Sequence, residues 1–440
     1  MTQATFQKRE NVEDRGRIAE LQEQFPEIPR SIILKTDVLR EGCKFTPAVH
    51  EAGEWALPHF LIWNPEHPWN PRVRNLEAGQ ITTTPWKFDL ADGTPVLLRF
   101  DPGSPYEIRK EDGRYALYRD DLCVEEIGFE KRPDWTYKTT ADGDLMISVF
   151  IPWARKALLG CALRYCEYTK TGDQCVYCCL DANLQGYKKM GFKYRLSMTP
   201  EEAAEVYRAA EEETSLKYVG MTGGSLLDSK KEAERYVKIF SAMNRVRTEM
   251  GRAGKTRFDL CVTAPAERRL IEGLKDAGVD SIGPNMDCWD ERLWPVIVPG
   301  KHKFVGRDAW LRSIELSAEV FGSRDVFTVF VVGPEMTPPS GFRSFEEGVT
   351  SWKKAFAWLA ERGVFAQTSV WQTEVGSPWE RAEPPPTEYF LMVDFERHKI
   401  MNEAGLYQKT FHRYYRVNSW TCSQDYCRLA WGCRCPDCLD

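Results

Sequence analysis

Cys166-Glu-Tyr-Thr-Lys-Thr-Gly-Asp-Gln-Cys175-Val-Tyr-Cys178 is the stretch on which the fold and the chemistry turn. It follows an apolar, strand-like run, Met146 to Ile151. Three thiols close together on a polar, Gly-containing loop can converge on one point, and thiolate is the ligand that iron–sulfur iron prefers. The apolar pair Val176-Tyr177 sits beside the last thiol, where it can pack against whatever the thiols hold. Other readings stand beside this one. Cys175-x2-Cys178 and Cys435-x2-Cys438 can form a split zinc knuckle. A lone CxxC can act as a redox dithiol, or the cysteines can be buried packing residues.

Outward from this loop the pattern alternates between strands and helices. Strands are expected at Leu145–Ile151, Leu216–Met221, Arg257–Val262, Val279–Asn285, Val326–Val332 and Val364–Trp371. Helices are expected between them, at Pro200–Glu213, Lys230–Met250, Ala266–Ala277, Arg307–Phe321 and Phe345–Arg362, with another at Thr387–Glu403. Thr199-Pro200-Glu201-Glu202 supplies an N-cap, a proline at the first helical position and acidic residues in the first turn. Such β-α units imply a parallel sheet with right-handed crossovers. The fold class is therefore α/β: a (β/α)6-type partial or complete TIM-like barrel over residues 141–405. Its reactive groups belong at the C-terminal strand ends, where the cysteine loop lies.

Residues 1–140 read as an α+β accessory region. They contain a polar amphipathic stretch near Val12 to Phe25 and a proline-dense segment, Trp63 to Pro71, suited to a covering role. Strand-like runs at Trp86–Leu90, Pro95–Phe100, Tyr106–Arg109 and Tyr115–Tyr118 predict a small antiparallel sheet, with turns at Asp92-Gly93 and Asp112-Gly113. Residues 406–440 form a cysteine-rich tail. Of fourteen cysteines in 440 residues, five fall in 161–179 and five in 422–438. Grouped thiols in a chain whose N-terminus is too polar for a signal peptide point to metal ligands in the cytoplasm rather than to disulfides. A net charge of −6 leaves no basic footprint for nucleic acid, and no apolar run is long enough for a membrane span. The partner expected is a small molecule. His302 is the one histidine near the expected barrel mouth, and it reads as part of a solvated basic loop.

The cysteine loop and the elements after it resemble the radical S-adenosylmethionine (SAM) superfamily over about residues 145–405. The commonest family spacing is Cys-x3-Cys-x2-Cys with an aromatic before the last cysteine. Here the second half agrees through Tyr177, whereas the first gap is eight. The elongator catalytic subunit family has Cys-x4-Cys-x9-Cys-x2-Cys, close to the series Cys161, Cys166, Cys175, Cys178. The resemblance implies that Cys166, Cys175 and Cys178 hold a [4Fe-4S] cluster whose open iron binds SAM, with Cys161 the alternative to Cys166. It implies that Thr222-Gly223-Gly224-Ser225, where the family has Gly-Gly-Glu, binds the methionyl amino group, so that Gly224→Val would weaken SAM binding and leave iron in place. Asn285 and Asp287 would meet the ribose. Glu335 falls in an adenine-binding element, and Gln372 precedes a loop, Gly376-Ser377-Pro378, similar to one in the biotin synthase-like branch. Reduction by a flavodoxin- or ferredoxin-type donor would cleave SAM to a 5′-deoxyadenosyl radical, which takes hydrogen from a small molecule. Cys422, Cys427, Cys433, Cys435 and Cys438 would supply four ligands to an auxiliary iron–sulfur cluster or, alternatively, to a zinc site. Cys422-x4-Cys427-x5-Cys433 shares the spacing of lipoyl synthase's sulfur-donating cluster, which makes sulfur insertion the second enzymatic reading. A zinc-binding or redox interaction protein is the non-enzymatic one.

Overall fold

A computed structural model describes residues 16–44, 46–52, 85–99, 101–154, 156–189, 195–407 and 418–426. The Trp63–Pro71 segment, Val12 to Asp14 with Arg15, and Cys427, Cys433, Cys435 and Cys438 lie outside them. Helices α1 (Arg17–Gln24), α2 (Arg30–Glu41) and α3 (Pro47–Ala52) lead into five short strands: β1 (Lys87–Leu90), β2 (Pro95–Leu97), β3 (Tyr106–Glu111), β4 (Arg114–Arg119) and β5 (Leu122–Gly128). These form one sheet in the order β2-β1-β5-β4-β3, its paired strands antiparallel. Asp112 and Gly113 both have positive φ, 51° and 78°, as a two-residue hairpin turn of the primed type requires. Asp120-Asp121 makes a similar turn at 48° and 67° without a glycine, which is why β5 left no turn signal in the sequence.

The start of the parallel sheet differs from the expectation. Met146–Ser148 is a single 3-10 turn, and β6 (Phe150–Ala154) runs antiparallel to β7 (Ala157–Leu163). The first parallel strand is thus β7, not Leu145–Ile151. All seven β7 residues are buried, so the run carries no polar alternation to mark it. Gly160 is needed within it, because a Cβ there would lie 2.6 Å from the Phe150 ring.

After β7 come α4 (Glu167–Lys170), α5 (Leu180–Lys189), α6 (Pro200–Thr214), β8 (Tyr218–Gly223), α7 (Ser229–Glu249) and β9 (Arg257–Val262). The series continues through α8 (Arg268–Asp276), β10 (Ser281–Pro284), α9 (Trp294–Ile297), α10 (Pro299–Phe304) and α11 (Arg307–Phe321). It ends with β11 (Phe327–Val332), α12 (Phe345–Glu361), β12 (Phe365–Val370) and α13 (Thr387–Glu403). The Thr199 hydroxyl accepts from Glu202 N–H at the start of α6, as a capping residue should. Strands β7 to β10 pair in parallel and in sequence. Bridges Ile282↔Val326 and Asp287↔Phe330 carry the order on to the parallel pair β11–β12.

Among the described residues no ladder joins β12 to β6. Residues 418–426 and α2 span that flank instead. Thr368 N–H of β12 donates to Ser423 Oγ at 3.0 Å, Leu97 N–H to Ser419 O at 3.0 Å, and the Trp420 ring lies 4.5 Å from Trp153 of β6. The Lys35 ammonium of α2, fully buried, binds the Asp425 carboxylate at 2.7 Å and Asn418 O at 2.6 Å. Among the described residues no helix is long and apolar enough to cross a membrane.

Candidate functional site

The parallel strands enclose a cavity of about 270 Å³. Cys166, Cys175 and Cys178 line it together with the backbone from Thr222 to Ser225. This juxtaposition is built from backbone contacts. Gly224 N–H donates to Leu163 O at 2.7 Å, and Glu167 N–H donates to Ser225 O at 2.8 Å, zipping the end of β8 to the loop after β7. A Cβ on Gly224 would lie 2.0 Å from Tyr165 O and 2.9 Å from Cys166 Cα. The glycine is therefore required so that the cysteine loop itself can approach, and the expectation that Gly224→Val leaves the cluster in place is corrected. The Glu232 carboxylate of α7, buried, holds the following residues by accepting from Leu226 N–H at 2.8 Å and Thr263 N–H at 2.9 Å.

The rest of the loop is fixed from other strand ends. Val176 N–H donates to Ile297 O at 3.1 Å, Trp379 N–H to Val176 O at 3.0 Å, and Gly300 N–H to Asp173 O at 2.9 Å. Tyr177 donates its hydroxyl to Asp287 at 2.6 Å, and Lys301 pairs with the same carboxylate. Asp287 holds a positive φ of 61° and exchanges backbone bonds with Val329 and Val331, so its position is set by β11. Asn285 Oδ1 is already taken by Val329 N–H at 3.1 Å, which leaves its amide N–H groups to offer.

The chemistry of the donor set suits an iron–sulfur cluster. Burial pushes the Cys175 thiol up to about 12 against the pull of the Lys301 ammonium, and it raises Cys166 as well. Cys178 is raised by burial and further by Cys175 and Cys166, which places the three within electrostatic reach of one another. Such thiols hold their protons at neutral pH unless a metal takes their place. Cys261 also lines the cavity, but it is coupled to Asn285, Asp259 and Asp287 rather than to the three. Among the described residues no group of three His, Cys, Asp or Glu side chains is disposed to hold a single ion. Cluster thiolates bind separate irons, and three of them with no fourth protein ligand leave one iron open. The residues fit.

Tyr177, Thr222, Gly223, Gly224, Ser225, Asn285, Asp287 and Gln372 all line the cavity. Glu335 does not. Its carboxylate is buried against the helix layer, accepting from Trp352 Nε1 at 2.8 Å, Tyr389 hydroxyl at 2.7 Å and Gly333 N–H at 2.8 Å. A 3-10 turn at Pro334–Met336 carries it there, and a cofactor-binding role for it is withdrawn. Cys161 lies inside β7, fully buried, with its thiol directed to Leu163 O at 3.4 Å, and is not a lining residue. Cys422 is buried against the Thr36 hydroxyl at 3.4 Å. His302 sits on α10, whose Lys301 is the residue that reaches the site; reading the segment as a solvated loop missed this. Glu232 was also missed, because a carboxylate inside an amphipathic helix looks like any exposed one.

Comparison with known proteins places these observations in a family. The model described as the radical SAM superfamily matches residues 160–339. No curated protein matches the sequence. Among solved structures, HydG, a maturase of the [FeFe]-hydrogenase, aligns at 14% identity and a TM-score of 0.40, over 57% of this chain and 49% of its own. Coproporphyrinogen III oxidase (HemN) from Escherichia coli aligns at 12% and 0.29, over 43% and 41%. A chitinase domain from Pyrococcus furiosus aligns at 13% and 0.30, over 50% and 78%. The chain thus spans about half the length of the HydG chain. The family match sets aside the reading of the molecule as a zinc-binding or redox interaction protein. Residues 160–339 are a radical SAM domain, and the protein that carries it is an enzyme.

Proposed function

We propose that the domain is a (β/α)6 partial barrel in which Cys166, Cys175 and Cys178 ligate the [4Fe-4S] cluster that the family implies. The observation that carries this is the shared cavity of those thiols and the Thr222–Ser225 backbone. Backbone carbonyls at Thr222–Ser225 accept from the methionyl ammonium, while Asn285 N–H groups and Gln372 are placed for the nucleoside. Lys301 neutralises Asp287, and Tyr177 anchors the loop to it, so the third thiol keeps its position when charge changes at the site. When bound, the cluster and SAM supply a 5′-deoxyadenosyl radical that removes hydrogen from an unactivated carbon of a small molecule. The buried walls keep water from that radical. A flavodoxin- or ferredoxin-type protein supplies the electron.

The test is anaerobic reconstitution with iron and sulfide, reduction by dithionite and detection of 5′-deoxyadenosine. Broad absorption near about 400 nm and SAM cleavage are expected for a cluster held by cysteines. A colourless protein that leaves SAM intact refutes the reading. The tail supports a second cluster. With Cys422 packed against Thr36, the remaining Cys427, Cys433, Cys435 and Cys438 make one four-thiolate set. Deleting residues 427–440 should lower iron by about one cluster's worth, whereas a cut at 420 would also remove the cavity wall. Unchanged iron eliminates the auxiliary cluster. Several turnovers without added sulfide eliminate sulfur donation from it.

A further inference from the structure

The cavity continues past the SAM-binding end toward the flank closed by α2 and residues 418–426. Asp259, on the inward face of β9, lines this end and is only 5% exposed. Its carboxylate meets Arg257 Nε at 3.1 Å. That guanidinium is shared: it binds Asp325 at 2.7 Å and the Asp280 carbonyl at 3.3 Å, and Arg247 binds the Asp280 carboxylate at 2.6 Å. Three carboxylates thus face two guanidiniums, and Asp259 is the one that lines the cavity. Burial lifts its pKa to about 6, against the pull of Arg257 and the Ser281 hydroxyl and with a further push from Asp280.

Three aromatic rings line the same cavity. Trp153 lies 4.5 Å from Trp420 and 5.8 Å from Tyr218, centroid to centroid, and all three line the cavity. Gln424, 4% exposed, lines it as well, and its Oε1 has no hydrogen-bond partner among the described residues. A buried acceptor left unpaired costs about 1–3 kcal/mol, so a ligand that donates to it is favoured. A carboxylate short of countercharge, an open acceptor and aromatic faces select a cation that carries N–H donors.

We propose that this end of the cavity binds the ammonium group of an organic amine, the substrate class of the enzyme. Asp259 is the counter-ion, Gln424 an acceptor, and Trp153, Trp420 and Tyr218 the enclosing faces. This rests on reading the cavity as the radical SAM active site.

The test uses the full chain, reconstituted anaerobically and saturated with SAM. Binding of 2-phenylethylammonium, the neutral 2-phenylethanol and the anionic 3-phenylpropanoate is measured by calorimetry. The ammonium should bind at least about tenfold more tightly than the alcohol, the size of one charge-assisted contact. Asp259→Asn should remove that preference. Gln424→Leu, which leaves the ion-pair network intact, should weaken the ammonium by about tenfold on the same grounds. Equal binding of alcohol and ammonium, preference for the carboxylate, or no saturable binding of any probe overturns the proposal. SAM cleavage by the wild type is read separately. Its absence would sink the radical SAM reading alone, because amine selectivity is measured without turnover.

Discussion

The cluster end of the cavity and its closing flank are built from different material. At the cluster end the contacts are mostly main chain: Gly224, Ser225, Val176 and Gly300 interlock the strand-end loops through N–H and C=O groups. At the flank the contacts are side chains drawn from distant parts of the chain, Lys35 with Asp425 and Trp153 with Trp420. The first arrangement would fix where the proposed cofactor sits. The second is free to vary with the substrate, since side chains change by mutation and main chain does not.

The comparison is sharpest for the thiols. Cys166→Ala, Cys175→Ala and Cys178→Ala should each abolish 5′-deoxyadenosine release, while Cys161→Ala, a change outside the cavity, should retain it. Loss in Cys161→Ala with retention in Cys166→Ala would reassign the first ligand. Next in size is Gly224→Val. The clash with Tyr165 O should displace the cysteine loop, lowering iron content as well as SAM binding and costing about 3 kcal/mol or more in a melting experiment. Normal iron in that variant would show that the loop yields without cost.

At the flank the expected effects are on stability. Lys35→Ala removes the ammonium that the buried Asp425 carboxylate faces and should cost about 3–5 kcal/mol by denaturant titration. The double variant Lys35→Met with Asp425→Leu should recover most of it; no recovery would mean that the pair itself, rather than its charge balance, seats the segment. The smallest effect concerns acid. His398 packs on the Tyr426 ring at 4.7 Å, and burial lowers its pKa from 6.5 to about 4. The unfolded chain therefore takes up this proton at higher pH than the folded one does, so stability present above about 6.5 is lost as pH falls toward 4. His398→Phe keeps the stack and should flatten that part of the melting curve against pH. An unchanged curve would assign the acid sensitivity elsewhere.

The same division explains what the sequence disclosed. Helix α11 and strand β9 fall on their expected residues, because their polar and apolar positions follow one local period. The residues proposed for the cofactor end were readable for a related reason: they come in order at successive strand ends. Strand β7 was not, since a run buried on both faces has no alternation. Glu335 was misplaced because a short turn decides its direction, and no spacing rule registers a turn of three residues. Asp259, Trp420 and Gln424 carried no local signal at all. Their meaning depends on which distant element faces them, and pattern along the chain does not encode that.

The flank also imposes an order in time. Lys35 and Asp425 are 390 positions apart, so the wall they pin cannot form until nearly the whole length of chain between them has been made. Domains fold as they emerge from the ribosome, earlier parts first. Strands β7 to β12 and the cysteine loop can therefore be in place while the side between β6 and β12 still stands open. Residues 418–426 then complete the wall of a cavity whose parallel strands are already in place.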